Sequence, residues 1–384
     1  MAPSRWRSPV AIGALVLALT GCVAPAPAPP PEPSSADAAA LEVSTPVSVL
    51  DGLTLEQRVG QLFMVGSSAK VAEPATVAAV RDRFVGSVFL SGRSSAGVAA
   101  TATVVAALTA ENPGGIPLFV ATDQEGGQVQ VLSGPGFSDI PTARTQGKMD
   151  PAALAAVSQV WGAELAAAGV NVNLAPVGDI VTGPNSNNQP IAHFRREYGY
   201  DAATVSAHAG AFVQGMTAAG VSSTLKHFPG LGYVTGNTDT VATVVDTVTQ
   251  ADGATVQTFG ALIDAGAPVV MMSSAVYALI DPTAPAVFSP IVVGLLRTSL
   301  GFVGVIITDD LSGASAVEAW TPGDRAVLAI QAGVDIVLVV HSPAMLAEMI
   351  DAVVAKAATD PAFAALVDAA ARRVLLQKIV VGIS

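Results

Sequence analysis

Ionisable residues stand at the ends of apolar runs in this chain. Asp123 follows PLFVAT, Asp179 follows NLAPVG, Lys226 and His227 follow SSTL, Asp309 and Asp310 follow VIIT, and His341 follows IVLVV. If the runs are strands gathered in a barrel, their ends converge on one mouth. A ring of carboxylates with one or two cations suits a polyhydroxylated ligand better than an apolar one. Carboxylates and histidines also make metal sites, but the chain has only four His and no His-x-x-x-His pair, so neither a metal nor a cofactor is expected. No Gly-x-Ser-x-Gly elbow occurs to present a serine nucleophile. Paired carboxylates remain as the leading chemistry.

Such residues need elements to hold them. Four helical patterns end in Ala-Gly and run directly into β-rich stretches: AAAGVNVNLAP, TAAGVSSTLKH, IDAGAPVVMMSS and IQAGVDIVLVV. Gly169, Gly220, Gly266 and Gly333 take the helix-terminating position, where a residue without Cβ adopts the left-handed conformation cheaply. Adding QLFMVG, VGSVFL, PLFVATD and GVIITDD brings the strand count to eight. The runs lack polar alternation, as expected of parallel strands covered on their outer face. The fold class that follows is α/β, a single (β/α)8 TIM-type barrel over residues 48–384. A doubly wound open sheet competes poorly, because Gly126-Gly127 follows acidic Asp123 and Glu125, which would repel a pyrophosphate.

At 384 residues, 51% hydrophobic and 12% charged, the chain can bury a large core without disulfides. A net charge of -12 argues against a nucleic-acid partner. Arg5 and Arg7 precede an apolar run from Val10 to Leu19, too short to span a bilayer, that ends in Leu19-Thr20-Gly21-Cys22. This resembles the lipobox of bacterial lipoproteins. It implies a signal peptide over residues 1–21 and lipidation of Cys22, the sole cysteine. An Ala/Pro-rich tether then extends over residues 22–47, holding an exported domain to the outer face of the cell membrane through the lipid alone. The chain is expected to act as a monomer.

The folded region resembles glycoside hydrolase family 3, in particular its single-domain β-N-acetylglucosaminidases that trim cell-wall fragments. ATDQEGGQVQ, NVNLAPVGDI, RREYG, LKHFPGLG and LLRTSLGFVGVIITDDLS occur in the family's order. The resemblance implies that Asp309 is a nucleophile forming a covalent glycosyl-enzyme with retention of configuration. It implies that Asp123, Arg196, Lys226 and His227 hydrogen-bond the terminal sugar, with Asp179 either joining them or bracing Lys226. The residues alone leave open whether Asp309 or Asp310 reacts, since pleat alternation aims the two apart.

Two positions depart from the family pattern. Its N-acetylglucosaminidases carry an Asp-Ser-His triplet as acid/base dyad where this chain has Asn237, Thr238 and Asp239. The economical expectation is that Asp239 itself is the acid/base, with a raised pKa, and that a carboxylate there favours water over phosphate as acceptor. Val131 stands where the family commonly offers an Arg. The expected partner is therefore a carbohydrate, a GlcNAc-containing glycan such as a peptidoglycan fragment. An exo-β-glucosidase, or a lipid-anchored sugar-binding protein that has lost its acid, are the alternatives.

Overall fold

The computed structural model describes residues 46–380. The expected signal peptide, Cys22 and the tether up to residue 45 lie outside the described residues. Two short helices, Pro46–Asp51 and Leu55–Gly60, lead into the barrel. Eight parallel strands follow: β1 Phe63–Ser68, β2 Ser87–Ser91, β3 Phe119–Thr122, β4 Val172–Asn173, β5 Ser222–Phe228, β6 Val269–Met272, β7 Val305–Asp310 and β8 Ile336–Val339. Each pairs with its neighbours in sequence, and Phe63 opposite Val337 closes β1 onto β8. The expected (β/α)8 barrel is the observed one.

Helices α1 Pro74–Arg83, α2 Val98–Thr109, α3 Pro151–Ala167, α4 Ala202–Ala218, α5 Ala254–Asp264, α6 Pro290–Gly294, α7 Pro322–Ala332 and α8 Leu346–Thr359 follow the strands in turn. A last helix, α9, runs from Pro361 to Val380. The starts of α3 and α7 combine a Pro at the first helical position with a side-chain cap, from Asp150 and Thr321 respectively. Such a cap satisfies an amide that has no partner within the helix. The four Ala-Gly stops behave as their sequence requires: φ is +79°, +76°, +100° and +107° at Gly169, Gly220, Gly266 and Gly333. Each lets the chain leave a helix and turn at once into β4, β5, β6 or β8.

Strand alternation divides the core in two. Met64, Phe89, Phe119, Val269, Ile307 and Ile336 pack inside the barrel. Val65, Val88, Val120, Val270, Ile306 and Val337 face the helices. Both faces of each strand are therefore dry, and the strand ends are free to carry polar groups. Elsewhere the interior admits charge only with partners. Asp335, at the start of β8, accepts from the Ile306 amide at 2.8 Å and pairs with Arg297 and Arg373, so one carboxylate ties β7, β8 and α9 together.

Two small additions were not foreseen: a hairpin of Gln124–Gly126 with Val129–Gln130, and a three-stranded sheet of Val245–Asp246, Val276–Tyr277 and Asp281–Pro285. Both arise in the loops beyond the C-terminal ends of the strands, the side on which barrels build their sites.

Candidate active site

A cavity of about 460 Å³ opens at that end of the barrel. Its floor is apolar, formed by Phe89, Leu174, Met271 and Leu338 from the barrel interior. Above the floor stand Asp123, Arg196, Lys226, His227, Asp239, Asp309 and Asp310, with His341 also in the wall. Residues far apart in sequence thus meet because their strands end at one rim. Among the described residues, no group of three or more His, Cys, Asp or Glu is placed to hold a metal ion.

Hydrogen-bond partners separate the two adjacent acids of β7. The Asp310 carboxylate accepts from the Ser312 amide at 2.9 Å and hydroxyl at 2.7 Å, and from the amides of Val340 at 3.0 Å and His341 at 2.8 Å. It is a clamp between the ends of β7 and β8. Asp309 borders the same cavity, but among the described residues its side chain is engaged only by the Asp310 amide, at 2.9 Å, which leaves it free to meet a ligand.

The cations are held from behind. Lys226 Nζ donates to Asp123 Oδ1 at 2.6 Å and approaches Glu125 Oε1 at 2.7 Å. Arg196 grips Glu125 with Nε at 2.9 Å and Nη2 at 2.7 Å, a two-pronged pair of the kind that fixes a guanidinium's plane. Burial would raise the Glu125 carboxyl, but Arg196 and Lys226 outweigh it and hold the group at about 2. Burial likewise works against the charge on Lys226, and its two carboxylate partners prevail, lifting its pKa. The role of Glu125 was missed in the sequence, where it counted only as an argument against a phosphate site.

Lys226 and His227 are joined by a cis peptide bond, and both side chains line the cavity. Asp179 was expected to touch the sugar or brace Lys226. It does neither: it lies fully buried behind His227, with Oδ2 2.8 Å from Nδ1 of the ring and Oδ1 accepting from the His227 and Leu231 amides at 3.2 and 2.8 Å. A carboxylate on one ring nitrogen orients the imidazole and fixes where the other nitrogen points. Val131 packs against the core, its amide bonded to the Asp123 carbonyl at 3.1 Å, and is not part of the cavity wall.

Asp239 arrives on the loop after β5. The Asn237 side chain accepts from the Asp239 amide at 3.0 Å, forming a local turn. The loop is laid against the segment that follows the β7 acids, with the Ser315 amide donating to the Asp239 carbonyl at 3.3 Å and that of Ala316 to Thr238 at 3.1 Å. Asp239 lines the cavity and is exposed as a residue. Burial of its carboxyl, then the nearby charge of Asp309, push it above the ordinary carboxylate range, against the opposing pull of His227 and Arg196.

The model of the glycosyl hydrolase family 3 N-terminal domain matches residues 54–376. The chain belongs to glycosyl hydrolase family 3. Solved family structures share its architecture: a β-N-acetylhexosaminidase from Beutenbergia cavernae is 63% identical with a TM-score of 0.84, over 85% of this chain and 98% of that one. A family 3 β-N-acetylglucosaminidase from Paenibacillus sp. is 30% identical with a TM-score of 0.79, over 86% of this chain and 63% of the other. A β-hexosaminidase from Xylella fastidiosa (strain 9a5c) is 33% identical over 315 residues, 80% of this chain and 91% of that protein. This family 3 member is a glycosidase, and the sugar-binding alternative without catalysis is set aside.

Proposed function

We propose that the protein is a retaining exo-β-N-acetylglucosaminidase that removes terminal GlcNAc from β-linked glycans, with peptidoglycan fragments as natural substrates. The observation that carries the reading is the Asp309 carboxylate, held by one local amide and open to the cavity, beside an Asp239 carboxyl with raised pKa. Two carboxyl groups whose environments differ supply a nucleophile and an acid from one residue type. The names of the similar hexosaminidases and glucosaminidases support GlcNAc as the sugar.

In the first step an Asp309 oxygen bonds to the anomeric carbon as the bond to the leaving oxygen breaks and Asp239 gives that oxygen its proton. Asp239, now a carboxylate, then takes a proton from water as the water attacks the same carbon and releases Asp309. Water is preferred to phosphate because the incoming acceptor passes a carboxylate. Asp123, Arg196, Lys226 and His227 hold the sugar's hydroxyls and N-acetyl group, and Asp179 orients His227.

Turnover of aryl β-N-acetylglucosaminide and aryl β-glucoside by the purified domain tests the sugar. Preference for the former is expected, and preference for the glucoside would move the protein to the family's exo-β-glucosidases. The LTGC motif supports export and anchoring through a lipid on Cys22. Cys22→Ala is expected to shift the protein from the membrane fraction to the soluble fraction, and an unchanged distribution contradicts the anchor.

A further inference from the structure

Glu125 takes no part in breaking the glycosidic bond, yet both cations of the sugar site depend on it. Its side chain is 4% exposed and lies behind Arg196 and Lys226, whereas the Asp123 side chain is 29% exposed and opens to the cavity. Lys226 thus has a permanent counterion on its buried side and a second carboxylate on its ligand side. These two cations and two carboxylates sum to zero, and Asp309 and Asp310 border the same cavity, so the site holds no excess of positive charge and suits an uncharged ring over an anionic one. Without the Glu125 charge, Arg196 and Lys226 would lose the one carboxylate that contacts both of them from the buried side. Lys226 would keep only Asp123, to which it already donates at 2.6 Å, as a carboxylate contact, and the subsite would become one charge unit more positive, which favours an anionic ligand.

We propose that Glu125 is a positioning and specificity-determining residue that holds Arg196 and Lys226 in place from behind, offsets their charge, and selects an uncharged terminal sugar over an anionic one. This deepens the glucosaminidase reading and rests on it. Because Glu125 is held at about 2, its charge persists throughout the mildly acidic to neutral range.

The test compares wild type with Glu125→Gln, which keeps the shape and removes the charge. Steady-state kcat and KM are measured on an aryl β-N-acetylglucosaminide, with inhibition constants for N-acetylglucosamine and its 6-phosphate. The Gln variant is expected to raise KM at least tenfold with kcat changed far less, and to shift the ratio of the two inhibition constants at least tenfold toward the phosphorylated sugar. A ratio equal to wild type overturns the proposal, whatever happens to kcat, since a merely structural role weakens both ligands alike. If the Gln variant does not fold, Glu125→Asp carries the test: charge is kept, so KM rises while the wild-type ratio stays, and a shifted ratio overturns the proposal. Failure of wild type to turn over the glucosaminide would count against the activity reading instead, and calorimetry with the same two sugars still reads the charge selection.

Discussion

Asp239→Asn is the perturbation that bears most on the chemistry. The Asn side chain fills the same space but cannot give up a proton, so only the acid/base contribution is removed. Such a group typically contributes about 10²–10⁴ in rate, which is ~3–5 kcal/mol of barrier. The full loss is expected in kcat/KM for substrates whose leaving oxygen is a poor one, as in a disaccharide. A dinitrophenyl leaving group departs without protonation, so its first step is expected to fall less than tenfold, and the second step, deprived of its base, becomes limiting. Azide, a nucleophile that needs no base, is expected to restore that second step. The sign of the pH effect follows from the raised pKa of Asp239. The acid works while protonated, so wild-type activity declines as pH climbs through its pKa, above the ordinary carboxylate range, and this alkaline limb is absent from the variant. Because Asp239 and Asp309 interact, the limb reports the pair. Wild-type activity of Asp239→Asn on a disaccharide, or an unchanged alkaline limb, would refute the assignment.

Other outcomes separate structural from chemical groups. Asp310→Ala removes four hydrogen bonds, two from Ser312 in the turn after β7 and two from the amides that follow β8, and is expected to cost ~3 kcal/mol in urea unfolding, whereas Asp309→Asn abolishes turnover at near wild-type stability; equal stability of the two variants contradicts the division. Lys378 is buried at the floor of the barrel, bonded to Gln61 Oε1 at 2.7 Å and the Gly86 carbonyl at 2.8 Å, and burial lowers its ammonium to about 7. An unfolded lysine titrates near 10.4, so between about pH 7 and 10 the unfolded chain binds the extra proton and stability rises with pH, by up to ~5 kcal/mol. Lys378→Met is expected to remove that rise from the difference between pH 7 and pH 9.5 urea midpoints, and parallel behaviour of the two proteins contradicts it.

The barrel was legible because its signals are local. Gly169, Gly220, Gly266 and Gly333 mark helix stops within a residue or two of the strands they feed, and strands apolar on both faces announce a covered parallel sheet. The site was legible as positions: acids and cations at strand ends meet wherever a barrel closes. Partnerships were less so, because they depend on which strand ends become neighbours. Nothing near Asp310 in sequence indicates that the amides of Val340 and His341 will occupy it, and Asp179 gives no local hint that it serves His227 rather than Lys226. Glu125 was hidden for the same reason, since its meaning lies in Arg196 and Lys226 on other loops and strands. The two small sheets form between segments that are only two to five residues long, too short for a periodic pattern.

The central claim is that Asp309 bonds covalently to the sugar during turnover. Incubation with a 5-fluoro glycosyl fluoride of N-acetylglucosamine, followed by proteolysis and peptide mass spectrometry, tests it directly. The account predicts one adduct, on Asp309 within GVIITDDLS. An adduct on a different residue, or normal turnover with no adduct at all, as when a substrate's own N-acetyl group serves as nucleophile, would contradict it.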